Sequence, residues 1–231
     1  MGAYILQNTQ LAMNSNPQVW PAEEVDLIEA ALSIDRFGRY LDAASAKPEA
    51  LAYYRWNVAL SSAFYGPLQC LEVGLRNAVH HRLATTHGDA WYQLPTLLSG
   101  RDQATARDAA DKVSRSGKPV TPGRIVAELS FGFWVGLFSN AYDQSIWRTD
   151  LYRLFSPRPQ RKDLHEKLDK LRTLRNRIAH HEPIFQRRLM DDYARLCEVL
   201  RSLSPELCSW SEHHSRVYDV LADGPNGVDR F

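Results

Sequence analysis

Cysteine is scarce in this 231-residue chain: Cys70, Cys197 and Cys208 are odd in number, far apart, and form no CxxC pair. That pattern excludes a disulfide framework and argues against a structural zinc site, so the expectation is no metal and a reducing, cytoplasmic setting. An excess of one charge is also missing. The 28 Lys and Arg are matched by 27 Asp and Glu, which excludes a uniformly basic nucleic-acid coat but leaves room for a local basic site. No long apolar run exists. The richest stretch, Ile125 to Tyr142, carries Glu128, Ser130, Ser139 and Asn140, too many polar groups for a membrane span. The opening residues MGAYILQNTQLAMNSNP have neither a basic n-region nor an apolar core, so no signal peptide is expected. Leu6 stands where N-myristoylation takes Ser or Thr. P-loop, GxSxG and dinucleotide fingerprints are absent, as are strand-like alternation and repeats of 20 to 50 residues.

What is present has helical period almost throughout. Apolar residues make up 44% of the chain, enough for one proper core. The expected organisation is a polar arm over 1–20, a single all-α domain over 21–221 and a polar tail over 222–231. Pro21 followed by acids opens a helix, and Ser33 caps a second. Lys47-Pro48 breaks the chain before a helix that Gly66-Pro67 interrupts or kinks; Gly88 caps the next one. A loop over 89–100 precedes a polar surface helix. Residues 125–142 are apolar nearly all round and predict one helix, buried or at a subunit interface. Further helices are expected over 145–155, 160–181 and 184–203, the last closed by Pro205.

Charge is unevenly placed. Arg153 to His181 holds nine Lys and Arg against three acids, and extension to Arg188 brings the segment to +7 on an otherwise acidic chain. Such a patch suits phosphate, although a solvated helix face has the same composition. Two segments echo one another: Leu75-Arg-Asn-Ala-Val-His-His81 and Leu174-Arg-Asn-Arg-Ile-Ala-His-His181. In the second, Asn176 and His180 are four apart and share a helix face, while Arg175 and His180 flank one edge about 140° apart.

Arg and His without a carboxylate cluster suit one reaction. A ribose 2′-hydroxyl attacks its own 3′-phosphate, His moves protons, and Arg neutralises the charge that builds on phosphorus. The 2′-hydroxyl confines this chemistry to RNA. The bare spacing of Arg and His is weak by itself, because Arg76 and His81 satisfy it too. Glu72, Arg76 and His80 form an i, i+4, i+8 stripe. Three readings stand: the stripe braces the catalytic helix, Glu72 and Arg76 enter the site directly, or the stripe is itself the active site. Trp134, Phe131, Phe133 and Phe138 read as core or dimer contact, since stacking aromatics should be exposed beside basic residues. His213-His214 and Asp191-Asp192 read as solvated surface.

The strings SIDRFGRYL, YYRWNVALSSAFYGPL, LEVGLRNAVHHRL, FGFWVGLF and LRTLRNRIAHHEPIF, in this order, resemble the Abi-like abortive-infection family of bacteria, the AbiD/AbiF type, over roughly residues 20–200. That family belongs to the HEPN superfamily of helical ribonucleases. The resemblance implies an all-α HEPN-type bundle with additional helices that forms a homodimer, the R-x4–6-H motifs facing across the seam. It implies a metal-independent endoribonuclease leaving a 2′,3′-cyclic phosphate and a 5′-hydroxyl, a toxin-like effector of phage defence, with no cofactor. On the resemblance Arg175 and His180 are the catalytic pair, Asn176 orients the site, and His181 also satisfies the spacing. Arg172, Arg177, Arg187 and Arg188 would gather the RNA backbone. An antitoxin or a phage-derived trigger is the further partner implied. The alternative is a non-catalytic HEPN-like module that binds RNA, a nucleotide or a protein.

Overall fold

The computed structural model describes residues 20–228, Arg230 and Phe231. The expected arm over 1–20 lies outside these residues except for Trp20. The described chain is all-helical, and no strand occurs among the described residues. Its elements are α1 (Ala22–Leu32), α2 (Ile34–Leu41), α3 (Lys47–His87), α4 (Gly100–Arg115), α5 (Pro122–Glu128), α6 (Phe131–Gly136), α7 (Arg161–Ala179), α8 (Leu189–Leu203), α9 (Pro205–His213) and α10 (Val217–Gly227).

Two compact units share these elements. The first comprises the residues up to Ala59 together with Asp219–Phe231; the second is Leu60–Tyr218. In the first, Lys47 ties the start of α3 to Asp26 and Glu29 of α1 at 2.7 and 2.6 Å. Phe37 and Tyr40 of α2 are buried, and Tyr40 meets Tyr54 edge-on. Trp56 Nε1 donates to the Val220 carbonyl at 2.8 Å. The segment 222–231, read as a polar tail, instead continues α10 to Gly227, with a break at Gly224 (φ 65°) and Val228 buried beyond it.

In the second unit α3 continues through Pro67, so the helix is not interrupted where the sequence reading expects an interruption or kink. Proline in a helix interior costs about 3 kcal/mol because it donates no N–H and crowds the preceding turn. Leu60, Phe64, Leu68, Leu71, Leu75, Val79 and Leu83 form a buried stripe on both sides of it. Each such side chain contributes about 1.5–3 kcal/mol on burial, so packing outweighs the local penalty. Leu164, Leu168, Leu171 and Leu174 give α7 an equivalent stripe. The Lys167–Glu198 ion pair joins α7 to α8 on the solvent side. At Gly74 a Cβ would meet Leu207 Cδ2 at 2.9 Å, so the absent side chain lets α9 lie close against α3.

Two expected helices are not continuous. The stretch 125–142 divides into α5, α6 and a 3-10 turn over Asn140–Tyr142. Leu129 turns extended, and Ser130 restarts the helix, its Oγ accepting from the Phe133 N–H at 3.3 Å. Ile125, Val126, Leu129, Phe131, Phe133, Trp134, Val135, Leu137 and Phe138 are all buried within the chain. These aromatics are core, not a stacking surface. The segment 145–155 forms a π-turn over Asp143–Trp147 and a 3-10 turn over Leu151–Leu154. Asp150 between them has non-helical backbone and a carboxylate with no solvent exposure.

That carboxylate organises the far end of α3. It accepts from Thr86 Oγ1 at 2.8 Å and Thr149 Oγ1 at 2.9 Å, and His87 Nε2 lies 3.0 Å away. Arg82 Nε is 3.2 Å from Asp150 Oδ1, close enough to pair charges although its N–H is not aimed as a hydrogen bond. Desolvation pushes the Asp150 carboxyl up, but the bonds from His87, Thr86 and Thr149 and the charge of His87 outweigh it and hold it below its usual range.

Candidate active site

The residues singled out in the motif lie on two facing helices. Leu164, Leu168, Leu171 and Leu174 turn one face of α7 into the core, which leaves Arg175 at the rim. Leu68, Leu71 and Leu75 do the same for α3 and leave Tyr65, Gln69, Glu72 and Arg76 along the adjacent edge, spaced four, three and four. Together with Leu68, Val73, Ile178 and Ala179, these side chains line a hollow of about 260 Å³.

Arg175 Nε donates to Glu72 Oε2 at 3.1 Å across the two helices. Their side chains are 39% and 24% exposed, so the pair is neither deeply buried nor free in solvent. Only Nε is used. The two terminal nitrogens of Arg175 have no protein partner among the described residues, and that fork is the geometry that grips a phosphate. Arg76 enters the same hollow, its Nε donating to Asn77 Oδ1 at 3.2 Å, not to Glu72. The stripe therefore has no internal salt bridge: Glu72 holds Arg175, and Arg76 bonds to Asn77 through Nε alone. His80 is directed elsewhere. Trp91 Nε1 donates to His80 Nδ1 at 3.1 Å, and desolvation lowers the imidazole from its ordinary 6.5.

The lining of the hollow ends at Ala179, and the two histidines follow at once. The end of α7 is a Schellman turn. The Glu182 N–H donates to the Arg177 carbonyl at 2.8 Å and the His181 N–H to the Ile178 carbonyl at 3.0 Å. His180 is the last half-helical residue, with its N–H on the Asn176 carbonyl at 2.9 Å. His181 takes the left-handed position (φ 56°) that glycine usually fills. Both imidazoles are exposed, and Asn176 is half-buried. By the helical rise, His180 lies about 7.5 Å along the axis from Arg175.

The arginines expected to gather RNA are mostly engaged within the chain. Arg172 makes two bonds to Asp169 Oδ1, at 2.9 and 2.7 Å. Arg177 donates to the Pro183 carbonyl at 2.8 Å and lies 3.6 Å from Glu182. Arg187 pairs with Asp192 at 2.9 Å. Asp192, read as polar surface, is buried and also held by Arg195 at 2.6 Å. Arg188 is exposed and has no side-chain partner among the described residues. A larger cleft of about 640 Å³ lies at the other end of α7, lined by Arg148, Tyr152, Arg158, Arg161 and Lys162. It holds none of the motif residues, and Asp143 pairs with both Arg148 and Arg161 there.

Sequence reasoning did not single out Tyr65 or Gln69. Tyr65 is 65% exposed, unusual for a large ring, and its position one and two turns before Gln69 and Glu72 was the available signal. It also did not foresee that Cys197, Cys208 and Glu212 converge, with one ligand atom of each within 4.8 Å of the others. Among models of known protein families, curated proteins and solved structures, none matches this chain.

Proposed function

We propose that this protein is a metal-independent endoribonuclease whose site is built on Arg175, His180 and the α3 edge that faces them. The observation that carries the reading is the Arg175 guanidinium at the rim of the hollow, anchored through Nε by Glu72 with its terminal fork open. An RNA phosphate fits that fork, with Arg76 as a second cation. Arg175 then offsets the charge that builds on phosphorus as the 2′-oxygen attacks. His180 takes the 2′-hydroxyl proton, and a second imidazole returns a proton to the departing 5′-oxygen. The products are a 2′,3′-cyclic phosphate and a 5′-hydroxyl. Glu72 is a positioning residue, since it acts through Arg175.

Tyr65 supplies what the buried aromatics do not. Its exposed ring shares a hollow with two arginines, the arrangement on which a nucleobase stacks. A single site with one Arg and one reactive His lacks a separate acid and base. Two copies meeting about a twofold axis supply both, so the active form is read as a homodimer. Such an enzyme serves as a toxic effector in phage defence, restrained by a partner or by its trigger. It is read as acting in the cytoplasm, and no helix of the described residues is long and apolar enough to cross a membrane.

The test is cleavage of total bacterial RNA by the purified chain, with analysis of fragment ends. Tyr65→Ala is expected to raise KM more than it lowers kcat, because stacking is worth about 1–3 kcal/mol per base. RNA that is bound through the hollow and left intact would favour a binding module on the same residues.

A further inference from the structure

We propose that Cys197, Cys208 and Glu212 form a binding site for one zinc ion that staples α8 to α9. Scarce and widely spaced cysteines argue against such a site in the sequence, but the helical hairpin brings these three residues together. Cys208 and Glu212 are four apart on α9 and share a face, and Cys197 projects from α8 to meet them. Both thiols are buried, and one ligand atom from each of the three residues lies within 4.8 Å of the others.

The spacing fits the ion. A tetrahedral centre with Zn–S near 2.3 Å and Zn–O near 2.0 Å places sulfur about 3.5 Å from oxygen and two sulfurs about 3.8 Å apart. Cys208 Sγ already stands 3.5 Å from Glu212 Oε2. Closing the group around a metal requires shifts of at most about 1.3 Å from the remaining pairs. The ion takes the place of the two thiol protons, which pass to solvent. Two thiolates and one carboxylate around Zn²⁺ leave one net negative charge. Arg201 offsets it, held 2.7 Å from Glu212 Oε1, the oxygen turned away from Cys208. Glu212 is 39% exposed, which opens a route for the ion and leaves water for the fourth position. Sulfur ligands in this number select zinc over magnesium or calcium.

The consequence reaches the α3 edge without depending on what that edge does. Leu207, next to Cys208, is the side chain that fills the space above Gly74 of α3. A metal that locks α9 onto α8 therefore steadies the wall against which α3 rests.

The test is titration of the full reduced chain, in a phosphine reductant, with Co²⁺ and then Zn²⁺. The expected result is a sulfur-to-cobalt charge-transfer band that saturates at one metal per chain and is bleached by zinc, with a rise in melting temperature in zinc. Cys197→Ser and Cys208→Ser each lose the band, whereas Cys70→Ser keeps it. Glu212→Gln, at a partly exposed position that leaves the core intact, keeps a band but weakens zinc binding at least tenfold, since even outer-shell partners are worth 10- to 100-fold. A wild-type chain with no band, or a band that survives in both Cys197→Ser and Cys208→Ser, overturns the proposal. The wild-type titration decides even where a serine variant does not fold.

Discussion

Removal of Glu72 separates two meanings of its bond to Arg175. In one, the carboxylate aims the guanidinium; in the other, it merely masks its charge. The pair spans 3.1 Å at partly exposed positions, so its net worth to stability is about 0.5–1 kcal/mol. For a chain of this size that corresponds to roughly 1–4 °C in melting temperature for Glu72→Ala. The effect on cleavage is expected to be much larger. Arg175 has four rotatable side-chain bonds, and Nε is its only anchored atom among the described residues. A misplacement of about 1 Å costs up to 100-fold in rate, so Glu72→Ala is expected to lower kcat by 10- to 100-fold with little change in KM. Glu72→Gln retains an oxygen that accepts from Nε and should recover part of the loss. Arg175→Lys cannot form the fork and should not recover. The assay is single-turnover cleavage of a labelled RNA beside a thermal melt. Unchanged or faster cleavage by Glu72→Ala, with the small loss of stability, would refute the aiming role.

Four further outcomes follow. Asp150→Ala removes a fully buried carboxylate and should cost about 3 kcal/mol in urea unfolding, because the partly exposed Arg82 and His87 lose the partner they share. His181→Gly relieves a left-handed backbone and should stabilise the fold by roughly 1 kcal/mol; RNA cleavage that survives it would assign the reaction to His180. His80 is depressed below 6.5 in the folded chain by desolvation, so the unfolded chain binds more protons in the window just below that value. Stability therefore falls as pH drops through that window, and a melting profile of His80→Gln should lose that part of the slope. Asp150 acts lower on the scale, because its stabilising effect is present above about 3.8 and is lost as pH falls further.

The helical period was legible wherever one face is apolar and the other polar, as in α4 and α7. The end of α7 before Pro183 is a local signal of the same kind. Legibility failed where tertiary packing overrides local preference. Pro67 stays inside a helix because the buried stripe on both sides of it is worth more than the missing hydrogen bond. A stretch that is apolar on all sides, such as 125–142, has no periodicity by which a break at Leu129 can be read. The Glu72–Arg175 pair joins residues 103 apart, and Asp150 meets His87 across 63, so neither contact leaves a mark in local sequence. The group of Cys197, Cys208 and Glu212 was hidden similarly: its two thiols come from different helices, and only the turn at Ser204 brings them face to face. The spacing of Arg175 and His180, by contrast, lies within one helix and its end and can be read locally, although Arg76 and His81 share it.

The measurement that bears most directly on the account is RNA cleavage by the wild-type chain, Arg175→Ala, His180→Ala and the double variant, in the presence and absence of EDTA. The account predicts that wild type alone cleaves, that it still cleaves in EDTA, and that it leaves cyclic-phosphate and 5′-hydroxyl ends. Cleavage by the double variant at the wild-type rate, or fragments ending in 5′-phosphate, would contradict it.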